Sequence, residues 1–138
     1  MTIEELERSL PSGFHDALIH RLSVDYVART AALEVDIDVG DPEAAEYAER
    51  ERKRRACVTL EGLIFLVVES PDSAYPYGAG KPLWVDTAPI VRDSPGVPRL
   101  PALPAGAFEF CVFVNQWNAF MYLAGTHVSL EWAEVLNG

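Results

Sequence analysis

Apolar residues in this chain fall mostly on alternate positions. Leu33, Val35, Ile37 and Val39 are interleaved with Glu34, Asp36 and Asp38, the period-two signature of a strand with one wet face. In the preceding run, Leu18, His20, Leu22, Val24 and Tyr26 alternate with Ile19, Arg21, Ser23, Asp25 and Val27. A turn near Ala28-Arg29-Thr30 joins the two into an antiparallel hairpin. Val58, Leu60 and Gly62 with the following LIFLVVE read as a third, buried strand. Later, Phe108, Phe110, Val112 and Val114 alternate with Glu109, Cys111 and Phe113, and Asn115–Asn118 forms a turn. Phe120 to Ala124 and His127 to Trp132 then read as another hairpin around Gly125-Thr126.

Helical spacing occurs twice. Thr2 followed by Glu5 is a capping-box pattern ahead of Ile3, Leu6 and Leu10, and Pro11-Ser12-Gly13 ends that helix. Asp41-Pro42-Glu43 starts a second, with acidic residues early, basic residues late and four-apart pairs Glu46–Arg50, Glu49–Lys53 and Glu51–Arg55. Its apolar face is thin, so an exposed charged helix is expected over 42–55. Eight of the ten prolines lie between Pro71 and Pro104. Proline donates no ladder hydrogen bond, so one edge strand within Pro82–Val91 is expected there and stiff loops elsewhere. The expected fold is mainly β: a single domain spanning 1–138, an antiparallel sandwich or partly open barrel of six to seven strands, with a short N-terminal helix.

Charge narrows the choice of partners. The formal net charge is −10, and residues 1–49 hold 12 acidic against 3 basic side chains. Such a surface repels nucleic acid and anionic lipid and attracts a basic protein. The basic run Arg50, Arg52, Lys53, Arg54 and Arg55 has an ordinary cause in the dipole at the expected helix end. The N-terminus has neither a basic start nor an apolar stretch, and the longest apolar run, Leu63–Val68, is too short to span a bilayer. A cytoplasmic location is therefore expected. Two cysteines, Cys57 and Cys111, cannot make a disulfide framework, and both lie in apolar runs.

No motif specifies a reaction. His15-Asp16 precedes the first strand, where a carboxylate can orient an imidazole; with His127 these form a candidate polar pocket, and His20 is a further histidine. Their spacing matches no known ligand set, so neither metal nor cofactor is expected. Counting from Asp36, the calcium-loop pattern places Gly40 fifth, Asp41 sixth and Tyr47 twelfth, and fails. Glu34, Asp36 and Asp38 instead make an acidic face. In SAYPYGAGKPLW, the rings of Tyr75, Tyr77 and Trp84 sit among turn-forming residues, the setting in which aromatic side chains anchor interfaces.

The segment FHDALIHRLSVDYVARTAALEVDIDV, together with VTLEGLIFL and FCVFVNQWNAFMYL, resembles a loose group of small bacterial domains of unknown function. The opening His15-Asp16-Ala17 carries the likeness, and some members are similar to toxin-immunity proteins. The resemblance implies a protein-binding role and transfers no catalytic residue. The leading expectation is a non-enzymatic protein-binding domain that uses the acidic face and the Tyr75–Trp84 loop against a basic protein. The alternatives are a small-ligand protein or enzyme with a pocket under the proline-rich loop, and a structural domain forming homo-oligomers.

Overall fold

The computed structural model describes residues 1–41, 43–75 and 80–134. Its elements are α1 (Ile3–Arg8), β1 (Ala17–Asp25), β2 (Thr30–Asp38), α2 (Tyr47–Arg50), β3 (Lys53–Glu61), β4 (Phe65–Val68), β5 (Leu83–Ala88), β6 (Phe108–Val114), β7 (Ala119–Gly125) and β8 (His127–Trp132). All strand pairings are antiparallel, and the eight strands form one sheet in the order β4-β7-β6-β5-β1-β2-β3-β8. The mainly β expectation holds, with eight strands in place of six or seven. Among the described residues no helix is long and apolar enough to cross a membrane.

The additional strand comes from Gly62. The run expected to be one strand is cut there, because Gly62 turns into the left-handed region at φ 60°. β3 and β4 consequently lie at distant places in the sheet. The expected β7–β8 hairpin is also absent: β7 pairs with β4 and β6, and β8 pairs with β3. Only Thr126 separates these two strands, although they sit near opposite ends of the strand order. Two short links therefore force the ends of the sheet together. Thr126 N–H donates to the Glu61 carbonyl and Ile64 N–H to that of Ala124. The sheet is rolled, but no ladder closes it into a barrel.

Inside the roll, Ile37, Leu60, Val85, Val114, Leu123 and Val128 are almost fully buried. α1 closes one opening by placing Ile3 and Leu6 in this core, capped by the Thr2 hydroxyl as the sequence suggests. Thr87 donates its hydroxyl to Glu7, and Val128 N–H donates to the Met1 carbonyl. The hairpin β1–β2 forms as expected, with one change of phase. A bulge between Ile19 and Arg21 turns Ala17 and Ile19 inward before it and exposes His20, so His20 does not share a buried face with Leu22.

The expected helix over 42–55 shrinks to the single turn Tyr47–Arg50. Lys53, Arg54 and Arg55 belong to β3, where Lys53 lies opposite Asp38 and Arg55 opposite Asp36. The basic run is thus not a helix C-terminus; nine ladder positions with cross-strand charge pairs outweigh the local helical preference. β5 also departs from expectation, lying inside the sheet between β6 and β1. Its prolines, Pro82 and Pro89, stand just outside the ladder and cost it no hydrogen bond.

The second half of the proline-rich region is a cover. Ile90, Val97, Leu100 and Leu103 pack on Phe65, Cys111, Tyr122 and Ala124, which form the outer face of β4, β7 and β6. This is why β6 and β7 are apolar on both faces. Arg92 pins the cover by pairing with Glu109 on β6 at 2.6 Å and donating to the carbonyls of Leu100 and Pro101. Arg92→Ala is expected to leave the sheet folded and speed tryptic cleavage at Arg99, read by limited proteolysis; an unchanged cleavage rate would show that the apolar contacts alone hold the cover.

Candidate functional site

The rolled sheet has a narrow waist. β1 and β5 pair over only Ala17–Ile19 and Leu83–Val85, and this short ladder joins the two four-stranded halves. Side chains at the waist take up hydrogen bonds that a longer ladder would have made. Trp84 is held at three points: its N–H donates to Gln116 Oε1 at 2.8 Å, its carbonyl accepts from Asn115 N–H at 2.9 Å, and its indole N–H donates to Asp16 Oδ1 at 2.7 Å. The residue is nevertheless 45% exposed. A large aromatic surface is therefore fixed in orientation before anything contacts it.

Asp16 itself is fixed. It adopts φ 57°, a conformation that Asp tolerates better than most residues. Its N–H donates to Asp86 Oδ1 at 3.2 Å, and its carbonyl accepts from Lys53 Nζ at 2.8 Å. His15 Nδ1 lies 2.8 Å from Asp86 Oδ1, and its Nε2 lies 3.3 Å from Asp16 Oδ2. Asn115 donates to the other Asp86 oxygen at 3.4 Å. His15, Asp16 and Asp86 could present three ligand atoms to a cation. However, both carboxylates already accept protein donors, and the imidazole is 72% exposed. The cluster's demonstrable work is to orient Trp84.

Of the residues singled out in the sequence, the structure brings His15, Asp16 and Trp84 together. Tyr75 is half-exposed and belongs to the same end, since its N–H donates to the Asp72 carbonyl and Asp72 N–H donates to that of Trp117. Tyr77 lies outside the described residues. His127 is elsewhere, its Nδ1 2.6 Å from the Met1 amine and its Nε2 4.0 Å from Glu61; it shares no pocket with His15. Asp86, Asn115 and Gln116 were not singled out. Their signals were an acidic residue between Val85 and Thr87, and two amides in the expected turn.

Glu34 and Asp36 do face outward from β2, but their charge is met locally. Arg55 from β3 pairs with Glu34 at 2.9 Å and donates through Nε to Asp36, while His20 Nε2 lies 2.8 Å from Asp36 Oδ2. Asp38 accepts the Gly40 N–H. Burial raises the Asp36 pKa, but the hydrogen bonds from Arg55 and His20 outweigh it and hold the carboxyl below its ordinary value. A depressed folded-state pKa stabilises the fold above the unfolded value, near 3.9. That stabilisation is lost as pH falls through the lower folded value. Asp36→Asn is therefore expected to lower stability at neutral pH and to approach the unaltered protein in acid. Urea unfolding across pH tests this; a constant gap between the two proteins would contradict it.

Among the described residues, geometry argues against thiol chemistry at Cys111. Burial pushes that thiol's pKa up, and it donates to the carbonyls of Ala88 and Pro89. Fold and site together define an antiparallel β protein with a rigidly presented tryptophan beside two carboxylates. Compared with models of known families, with curated proteins and with solved structures, the chain matches none.

Proposed function

We propose that this protein is a non-enzymatic protein-binding domain whose contact surface is centred on Trp84 and includes Tyr75, with Asp16 and Asp86 at its edge. The observation carrying this reading is the three-point restraint on a half-exposed tryptophan. Holding a large side chain in its contact geometry beforehand lowers the entropic cost of association, and tryptophan is the side chain most enriched at interface hot spots. The net charge of −10 favours a basic partner and speeds encounter. Resemblance to immunity-type domains agrees with such a role. Asp16 and Asp86 are the acidic contacts because they adjoin Trp84, whereas Arg55 and His20 offset the charge of Glu34 and Asp36.

Self-association through sheet edges has less support. β4 is four residues long, and the edge of β8 is met by the Met1 carbonyl at Val128, so neither offers a long open ladder. The test is capture from lysate of the source organism on immobilised protein, beside Trp84→Ala and Tyr75→Ala. The intact protein is expected to retain a basic protein in a salt-sensitive manner. Trp84→Ala should weaken retention by about thirtyfold or more, as loss of a hot-spot residue does, while still unfolding cooperatively. Equal retention by the folded variant would remove Trp84 from the contact.

A further inference from the structure

The proline-rich cover does not lie flat on the sheet. Between it and the outer face of β6 and β7 is a cleft of about 490 Å³, within the size range of small-molecule sites. Pro89, Ile90 and Val97 line the cover side and Phe120 and Tyr122 the sheet side; among the described residues Glu69 is the one carboxylate in the lining, and no Lys, Arg or His takes part. The interior cavity beneath the sheet, about 30 Å³ and almost wholly apolar, is by contrast too small for more than a water.

Two polar groups give the cleft its character. Tyr122 is 3% exposed, and its side chain forms part of the cleft wall. Glu69 Oε1 accepts the Phe120 N–H at 2.8 Å, which fixes the carboxylate and leaves its second oxygen for another donor. Burial, then the nearby Glu69 carboxylate, pushes the Tyr122 pKa up. The Phe120 and Tyr122 rings stack with centroids 5.9 Å apart, so the less buried Phe120 ring presents an aromatic face that Tyr122 backs.

We propose that this cleft binds a small organic cation with an apolar, preferably aromatic, body, its ammonium on Glu69 and its ring on Phe120 and Tyr122. An anionic ligand would find no counter-charge there, and a neutral one would leave Glu69 unused. Aromatic faces beside a carboxylate attract a cation both through the ring quadrupole and by direct pairing. The proposal is independent of the Trp84 surface, whose residues do not line the cleft.

The experiment uses three probes of nearly equal shape, phenethylamine, phenethyl alcohol and hydrocinnamate, titrated into the full chain by amide NMR. Phenethylamine is expected to shift the Glu69, Ile90, Phe120 and Tyr122 resonances. It should bind about tenfold more tightly than the alcohol, in keeping with a hydrogen bond to a charged group, and hydrocinnamate should not bind. Glu69→Gln keeps an acceptor for Phe120 N–H and should keep the fold. It should remove the amine's advantage and leave the alcohol unchanged. Equal binding of amine and alcohol, an unchanged amine affinity in folded Glu69→Gln, or no binding of any probe would each overturn the proposal.

Discussion

Gly62→Val is expected to leave little folded protein. A Cβ at this position would stand 2.1 Å from Thr126 Oγ1, and the backbone sits at φ 60°. The left-handed conformation alone costs an L-residue about 1–2 kcal/mol, and a β-branched side chain suffers most. With the collision added, the loss should reach about 3 kcal/mol or more, a large part of a typical domain's 5–15 kcal/mol. Thr126 Cβ and Cγ2 also stand within 3.1 and 3.2 Å of that position, so turning the hydroxyl away relieves only part of the clash. Thr126 also supplies the N–H that binds Glu61 across the meeting sheet ends. The check is a mutant cycle with Gly62→Ala, Thr126→Ala and the pair, followed by thermal unfolding. Thr126→Ala should restore the steric part and leave about 1 kcal/mol of backbone cost. Additive effects would mean that the two residues do not meet, and that the sheet is not rolled as described.

The second large effect is expected at Asp86. Its carboxylate accepts the Asp16 N–H and the Asn115 amide and lies against His15 Nδ1. Asp86→Ala strands the Asp16 N–H at a left-handed residue, at a cost of about 1–3 kcal/mol. Asp86→Asn keeps an acceptor and should cost less. The consequence reaches Trp84, because Asp16 Oδ1 holds the indole. Of the three indole N–H resonances expected from the composition, the one assigned to Trp84 should lose its protection from exchange in Asp86→Ala and keep it in Asp86→Asn. Retained protection in the alanine variant would show that the tryptophan is held without the cluster.

The contrast between legible and illegible parts follows from the range of the interactions. Leu33 to Val39 declared themselves because a strand with one wet face imposes its period on neighbouring residues. The 42–55 segment misled for a related reason. Its capping and four-apart pairs are genuine local signals, yet in the ladder Arg55 pairs with Asp36 and Glu34, and Lys53 donates to the Asp16 carbonyl. Gly62 and Gly125 were visible as glycines; that they bracket the meeting ends of the sheet depends on strand order, which no local pattern carries. The second half of the proline-rich stretch read correctly as non-sheet, while Val97, Leu100 and Leu103 did not announce that they would cover β6 and β7. At the site, His15 and Asp16 stood out as neighbours in sequence. Asp86 is separated from Asp16 by 70 residues, and such a pairing exists only once the waist has formed.

The claim that Trp84 and its neighbours form the contact surface is tested most directly by photo-crosslinking in cells of the source organism. Benzoylphenylalanine would be placed at Tyr75, on the proposed contact surface, and separately at Tyr26, which is 84% exposed in the β1–β2 turn. The account predicts a discrete crosslinked product with a basic protein from position 75, absent when Trp84→Ala is combined with it, and none from position 26. Crosslinking from position 26 alone, or from position 75 with no dependence on Trp84, would contradict it.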